Sequence, residues 1–182
     1  MKKIFIIIVL ITFNTSAIAI NKNKIIKNFD NIKNVSFNFE QNINGKIEKG
    51  YCKLQYPKKI FCKYDLENQK ILVSNGRSLV IKTKDNFFLY PLDKTPLNLI
   101  LDKEFLIQKI KNLDERIIED QFINYKFSEN DNEINIFFSK KNFNLIGWQT
   151  LDMYQNLSIT FLSSIIKNQS LEKNLFNLPK QN

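Results

Sequence analysis

The side chains that most often carry enzyme chemistry are sparse in this sequence. Histidine is absent, which removes Ser-His-Asp and Cys-His catalysis and the commonest ligand of catalytic zinc. The four glycines do not cluster into a phosphate-binding loop. Glycosidase chemistry needs only carboxylates, but candidates such as Glu40, Asp65 and Asp152 stand alone in turns or strands. We therefore expect no catalytic residues, no metal site and no cofactor.

The two cysteines, Cys52 and Cys62, have a spacing that places them side by side. If their strands pair about a turn centred on Pro57, the two residues lie equally far from that centre and face each other. An oxidising compartment would favour a disulfide. Two reduced cysteines packed as small apolar groups fit the same geometry equally well. The sequence predicts adjacency and leaves the bond open.

Met1–Ala19 has the pattern of a secretory signal peptide. Two lysines precede the apolar run Ile4–Phe13, and Ala17-Ile18-Ala19 is a small-x-small cleavage site. The run is shorter than the roughly 18–20 apolar residues of a membrane helix, although a short N-terminal anchor is the alternative. We expect cleavage after Ala19, which leaves residues 20–182 as one domain in the periplasm.

The chain is basic, with 27 basic and 18 acidic residues and a formal net charge of +9. The lysines are scattered, which is weak evidence for nucleic acid, and exported proteins rarely meet any. A solvated surface is the simplest interpretation, and a contact with anionic lipid or an acidic protein is the alternative. We expect a monomer without a nucleic-acid partner.

Short runs of alternating apolar residues, separated by turn residues, predict an antiparallel sheet. An amphipathic helix over Lys22–Asn31, capped by Asn21, precedes them. The predicted strands are Val35–Gln41, Lys46–Gln55, Ile60–Tyr64, Lys70–Ser74, Ser78–Lys82, Phe87–Tyr90, Ile117–Glu129, Glu133–Ser139, Leu145–Asp152 and Leu157–Ser164.

Two further helices interrupt the strands in the middle of the chain. Thr95-Pro96 is an N-cap and first-turn proline that open a short helix through Leu101, and Asp102 caps a second helix over Lys103–Asn112. Ten or so strands in up-and-down order, with inserted helices, predict a strongly curved antiparallel sheet or partial barrel. The helices would cover its concave face.

A set of short motifs, in order and at consistent spacing, resembles the periplasmic lipoprotein carriers of the LolA type. The set spans about Val35 to Pro179. Its members are Phe37-x-Phe39-x-Gln41, Gly50-Tyr51-x-x-Leu54-x-Tyr56-Pro57, Lys63-Tyr64-Asp65, Ile71-Leu72-Val73-Ser74-Asn75-Gly76-Arg77, Tyr90-Pro91-Leu92, Thr95-Pro96-Leu97, Gly147-Trp148-Gln149-Thr150-Leu151-Asp152 and Phe176-Asn177-Leu178-Pro179.

The resemblance implies an unclosed β-barrel with a helical lid and an apolar cavity that carries the acyl chains of lipoproteins. Such carriers receive lipoproteins from an inner-membrane ABC transporter and deliver them to an outer-membrane acceptor. Many relatives have an arginine before the proline of the second turn, where it bonds to the lid. This chain has Tyr56 there, so the resemblance makes the tyrosine hydroxyl the gating candidate.

The residues that we expect to line the cavity are large apolar or aromatic side chains at alternating strand positions. On the concave face they are Phe37, Phe39, Leu54, Ile60, Tyr64, Leu72 and Phe88, and on the lid they are Leu97, Ile100 and Leu106. For each residue, membership of an ordinary core is the alternative, because strand alternation produces the same pattern.

Two other functions fit parts of the sequence. An acceptor or sensor could bind lipoproteins or lipids on the same fold, although acceptors usually carry a lipidated N-terminal cysteine and sensors a second domain. A carbohydrate-active protein would need paired carboxylates or exposed aromatic platforms, and the sequence shows no clear pair. We expect a carrier rather than an enzyme.

Overall fold

The computed structural model describes residues 16–129, 132–152 and 155–181. Most of the predicted signal peptide lies outside these residues. Cleavage after Ala19 and a single domain over residues 20–182 therefore stay predictions. No helix among the described residues is long and apolar enough to cross a membrane.

The described residues form three helices and eleven strands, with one 3₁₀ turn at Leu92–Lys94. The helices are α1 (Ser16–Asp30), α2 (Leu97–Ile100) and α3 (Lys103–Asn112). The strands are β1 (Asn34–Ile43), β2 (Lys46–Gln55), β3 (Lys59–Tyr64), β4 (Ile71–Asn75), β5 (Ser78–Lys82), β6 (Phe87–Pro91), β7 (Arg116–Ile118), β8 (Phe122–Glu129), β9 (Asn132–Ser139), β10 (Leu145–Leu151) and β11 (Leu157–Lys167).

All eleven strands belong to one antiparallel sheet whose two ends do not meet. The order is β6-β5-β4-β3-β2-β1-β11-β10-β9-β8-β7, so two meanders join where β1 pairs with β11. Register shifts between β1 and β11 and between β9 and β10 mark bulges with the extra residue on β11 and on β10, which bend strands and increase their twist. The prediction of a mainly β, unclosed antiparallel barrel with helices is confirmed.

One predicted strand, Ile117–Glu129, is wrong as a continuous element. The structure divides it into β7 and β8 by a turn in which Glu119 and Asp120 have φ of 49° and 55°. Neither residue is glycine, the usual occupant of such backbone angles. The sequence therefore carried no strong turn signal at this point.

The first helix begins earlier than predicted. Since α1 starts at Ser16, Asn21 lies inside the helix and does not cap it. Its side-chain amide instead donates to Glu115 at 3.1 Å, and the Lys22 ammonium donates to the Leu113 carbonyl at 2.7 Å. Both bonds fasten α1 to the segment that follows α3.

The helices cover one face of the sheet, which we call the inner face. Phe29 of α1 packs edge-on against Tyr56 and Phe138, with ring centroids 5.6 and 5.9 Å apart. Phe105 of α3 packs against Phe127 at 5.8 Å. The apolar core therefore lies between the helices and the inner face, as a half-buried sheet requires.

The lid helices α2 and α3 differ in how they begin. Asp102 caps α3 as predicted, because its carboxylate accepts from the Phe105 backbone N–H at 3.0 Å. Thr95 does not cap α2 through its side chain, since its hydroxyl donates to the Leu92 carbonyl at 2.8 Å. The predicted side-chain cap at Thr95 is therefore wrong, although the helix is present.

The C-terminal residues cross the opposite, outer face. Glu172 pairs with Lys53 of β2 at 3.0 Å, and the Lys82 ammonium of β5 donates to the Lys180 carbonyl at 3.0 Å. Val73 of β4 and Val80 of β5 lie on the same face, between the strand positions of Lys53 and Lys82, and both are buried. The tail therefore spans β2 to β5 on the outer face.

Candidate functional site

A cavity of about 270 Å³ lies between the inner face and α2. Its walls come from strands β1 to β5 on one side and from β10 and β11 on the other. Most of the lining is apolar, which is typical of small-molecule and lipid sites. Two wider depressions of about 550 and 500 Å³ are lined mainly by polar residues.

Five residues of the predicted concave set line this cavity. Strand pairing aligns Phe37, Cys52, Cys62 and Leu72 in one row across β1 to β4. The full set of predicted lining residues that the structure brings to the cavity is Phe37, Phe39, Ile60, Tyr64 and Leu72.

The absence of a side chain at Gly50 helps to position Phe39. A Cβ at Gly50 would lie 2.8 Å from Cε1 of Phe39 and 2.2 Å from the Lys63 carbonyl oxygen. The Phe39 ring instead lies over the glycine and meets Tyr64 edge-on, with centroids 4.9 Å apart. This pair forms part of the cavity wall.

Two predicted residues of the concave face do not line the cavity. Leu54 points to the same face but borders a separate void of about 20 Å³ with Phe29 and Tyr56. Phe88 continues the inner-face row through Ile81, yet it lies on the outermost strand and is 43% exposed. Strand alternation determines which face of the sheet a residue points to, but not where on that face it lies or what covers it. The pattern therefore placed Leu54 and Phe88 on the correct face but wrongly in the cavity.

The lid prediction also separates into two parts. Leu97 and Ile100 of α2 line the cavity. Leu106 of α3 does not line it and is fully buried in the core. The reason is that α3 packs toward β8, through Phe105 and Phe127, whereas α2 lies over the cavity.

Tyr56 is the gating candidate that the resemblance implies, but its hydroxyl makes no hydrogen bond to any described residue. Its ring contacts Phe29, and the Lys103 ammonium lies 5.8 Å from its centroid. Burial raises the pKa of the Tyr56 hydroxyl. The expected bond from this hydroxyl to a lid carbonyl is therefore not formed.

Lys58, two residues further, connects the sheet to the lid instead. Its backbone N–H donates to the Leu101 carbonyl at 3.0 Å, and its ammonium pairs with Asp102 at 3.1 Å. Asp102 is also the cap of α3. Sequence reasoning missed Lys58, because the lysine follows the turn proline and looked like an ordinary solvated residue.

Cys52 and Cys62 are directly opposed in β2 and β3, with Cα atoms 4.1 Å apart. The structure joins them in a disulfide, and both residues are part of the cavity wall. The register expected from the turn at Pro57 is therefore the register observed.

A buried ion pair borders the apolar wall. The Lys70 ammonium donates to Glu48 at 2.5 Å and lies 4.0 Å from the centroid of the Tyr64 ring. Burial alone would raise the pKa of Glu48, but hydrogen bonds from Lys70 and Lys46 outweigh it and lower that pKa. Burial, with the Glu48 charge beside it, raises the pKa of Tyr64.

Four uncharged polar side chains of β1, β10 and β11 also line the cavity, and sequence reasoning did not assign them to the site. They are Gln41, Thr150, Ser158 and Thr160. The signal was available, because Gln41 alternates with Phe37 and Phe39, and Thr150 follows Trp148 by two residues. Among the described residues, no group of three or more acidic, cysteine or histidine side chains could hold a metal ion.

An open antiparallel barrel with an apolar cavity under a helical lid defines a class of proteins that bind hydrophobic ligands. Within that class, the sequence identifies the family to which this chain belongs. A model of the family "Outer membrane lipoprotein carrier protein LolA" matches residues 30–179. The chain therefore belongs to the LolA family, a family of lipid-binding carriers of the cell envelope rather than of enzymes.

Solved structures are similar to this chain at low sequence identity, and those with a TM-score of 0.50 share its fold. An uncharacterized conserved protein from Thermus thermophilus is 8% identical, with a TM-score of 0.50 and coverage of 91% of this chain and 96% of that one. A chain of the Pseudomonas aeruginosa MucA/MucB complex is 10% identical, with a TM-score of 0.50 and coverage of 90% and 62%. The lipoprotein LppX from Mycobacterium tuberculosis is 9% identical, with a TM-score of 0.48 and coverage of 87% and 100%.

These similarities concern the fold alone. A search of curated proteins finds no significant match to the sequence.

Proposed function

We propose that the protein is a periplasmic carrier of lipoproteins. In this proposal it takes lipoproteins from an inner-membrane ABC transporter, holds their acyl chains in the cavity and passes them to an outer-membrane acceptor. It acts without catalysis, as a monomer. The observation that carries the proposal is the cavity itself, an apolar space under α2 in a chain of the carrier family.

Acyl chains suit these walls. Each methylene removed from water gains about 0.8 kcal/mol, so a free lipoprotein would aggregate or enter any membrane. Aromatic and aliphatic walls remove methylenes from water without directional bonds. A carrier must also release its cargo, and walls that hold the methylenes without directional bonds allow that.

Cargo loading would require the lid to move. The cavity volume of about 270 Å³ lies just under the roughly 300–1,000 Å³ of sites for drug-sized ligands. Several acyl chains need more room. The short helix α2, attached through Leu101 and Asp102 to Lys58, is the element that could open without disturbing the sheet.

The carrier role is tested by placing a charge in the cavity. Ile60 lines the cavity and is 2% exposed, so Ile60→Glu would put a carboxylate against the acyl chains. An unpaired charge there costs several kcal/mol. We expect the variant to fold, because a cavity can admit water, and to take up no lipoprotein from inner-membrane vesicles that carry the transporter.

Ile166→Glu is the matched control, because Ile166 points to the outer face and is 51% exposed. It should fold and take up lipoprotein normally. Normal uptake by a folded Ile60→Glu protein would contradict the carrier site. Loading without later transfer to acceptor-containing vesicles would favour a lipid-binding acceptor or sensor on the same fold.

A further inference from the structure

The polar wall of the cavity contains hydrogen-bonding capacity that the protein itself does not use. The Thr160 hydroxyl is buried, with the residue 3% exposed, and has no hydrogen-bond partner among the described residues. The Ser158 hydroxyl accepts from the Gln41 amide at 2.9 Å, while its own proton goes to no described acceptor. Buried polar groups are almost always paired, so this cluster points to a ligand.

Strand pairing places these groups together. Gln41 of β1 is opposite Thr160 of β11, and Ser158 is the next inward-facing residue on β11. Thr150 of β10 is opposite Ser158. The cluster of Gln41, Ser158 and Thr160 is therefore a continuous polar strip across neighbouring strands, with Thr150 at its edge.

The strip lies toward the open end of the cavity. Along β1 the inward-facing residues change from buried Phe37 and Phe39 to partly exposed Gln41 and Ile43. Since strands rise about 3.3 Å per residue, the strip is on the order of 10 Å from the deep apolar wall at Phe37. A ligand that lies along β1 would have its alkyl end deep and its polar end here.

We propose that this strip, Gln41, Ser158 and Thr160, binds the carbonyl group at the root of an acyl chain. The inference rests on the proposed lipid-carrier function and adds to it a polar subsite. Every acyl chain in ester or amide linkage begins with a carbonyl, which accepts hydrogen bonds from hydroxyl groups. The Thr160 and Ser158 hydroxyls supply such donors.

The charges around the strip favour a neutral carbonyl over a carboxylate. Glu48 is opposite Gln41 in the register, and the Lys70 ammonium is already bound to it at 2.5 Å. Asp152, a second carboxylate, also lines the cavity and accepts from Asn156. A free fatty acid would thus meet two negative groups, while the two cations beside Glu48, Lys70 and Lys46, are already bound to it.

The experiment compares an ester lipid with an ether lipid of the same chain length. Binding of dipalmitoylglycerol, dihexadecylglycerol ether and palmitate is measured for wild type and for Ser158→Ala/Thr160→Val. Net hydrogen bonds are worth roughly a factor of three to ten each. We expect wild type to prefer the ester over the ether by about ten-fold, and the variant to lose that preference.

The unpaired hydroxyl of Ser36 provides the matched control. It is the other buried side-chain oxygen without a described partner, and it points to the outer face opposite Ile166. Ser36→Ala should leave the ester preference unchanged. Because Thr160 has no protein hydrogen bond to lose, Thr160→Val should not lower the Tm.

The outcomes separate the two proposals. If wild type binds neither diacyl nor dialkyl lipid, the carrier function itself is wrong. If wild type binds both equally, or the folded variant keeps the ester preference, only the carbonyl subsite is wrong. The carbonyl subsite would also be wrong if wild type bound palmitate more tightly than the ester and the variant lost that binding. The strip would then be a carboxylate site.

Discussion

The two halves of the sheet use the same alternation of residues but are filled differently. In the packed half, β7 to β9 lie under α1 and α3, and inward-facing residues such as Tyr125, Ile134 and Phe138 are fully buried. In the cavity half, β1 to β5 lie under the four-residue helix α2, and Phe37 and Ile60 border an open space. The difference indicates that one half supplies stability and the other supplies room for a ligand.

The largest expected effect is on the packed half. Phe138 contacts Phe29 and Tyr125 edge-on, at 5.9 and 6.1 Å, so Phe138→Ala should lower the free energy of unfolding by about 3–5 kcal/mol. Phe39→Ala should cost less, on the order of 1–3 kcal/mol, since part of its surface faces a void and has fewer packing contacts to lose.

Urea denaturation of both variants provides the measurement. Where Phe138→Ala is too unstable to study, Phe138→Leu and Phe39→Leu can replace the alanine variants. Phe138→Leu should then lose more free energy of unfolding than Phe39→Leu. Equal losses at the two positions would contradict the division of the sheet into a packed half and a cavity half.

An intermediate effect concerns the ion pair beside the cavity. Glu48 is 4% exposed and bound by Lys70 and Lys46, so Glu48→Gln should cost about 1–3 kcal/mol at neutral pH. In the packed half, Lys126 and Glu133 form a pair in which both side chains are about half exposed. Glu133→Gln should therefore cost under about 1 kcal/mol.

The ion pair of Glu48 with Lys70 predicts how the stability of the protein depends on pH. The folded-state pKa of Glu48 is lowered, so its contribution is present above the unfolded-state pKa of about 4.3. That contribution is lost as the pH falls through the lower folded-state pKa. Chemical denaturation from pH 6 to 3 should show that Glu48→Gln loses less free energy of unfolding than wild type as the pH falls. If the free energies of unfolding of the two proteins fall in parallel, Glu48 is not the group responsible.

Alternation and turn residues allowed the face of the sheet and much of the cavity to be predicted. Phe37, Phe39 and Ile60 lie at inward positions that the sequence pattern identifies directly. Leu54 and Phe88 share that pattern, but their depth depends on which helix covers them and on their distance from the sheet edge. These are tertiary properties that a local pattern does not contain.

The polar strip and the lid contact were missed for a different reason. Gln41 and Thr160 belong to strands far apart in sequence, and only the pairing of β1 with β11 brings them together. Lys58 has a left-handed backbone, φ 64°, and its N–H donates to the Leu101 carbonyl, 43 positions along the chain. Neither a long-range pairing nor an unusual φ at lysine could be predicted from local composition.

The smallest expected effect on stability is at Lys58. Its ion pair with Asp102 is about 30% exposed on each side, so Lys58→Met should cost at most about 1 kcal/mol and lower the Tm by roughly 2–4 °C. The backbone bond to Leu101 remains in the variant. Lys126→Met, which removes a pair between two strands of the packed half, is the control with a similar small cost.

Lipid exchange should distinguish the two lysine variants. Lys58 connects the sheet to the start of α3 and the end of α2, so loss of its charge pair favours the open lid, whereas loss of Lys126 leaves the lid contacts intact. A bias of 1 kcal/mol changes a population about five-fold. Release of a fluorescent acyl lipid should thus accelerate up to about five-fold in Lys58→Met and stay constant in Lys126→Met. Equal release rates in both variants and wild type would mean that the Lys58–Asp102 pair does not hold the lid closed.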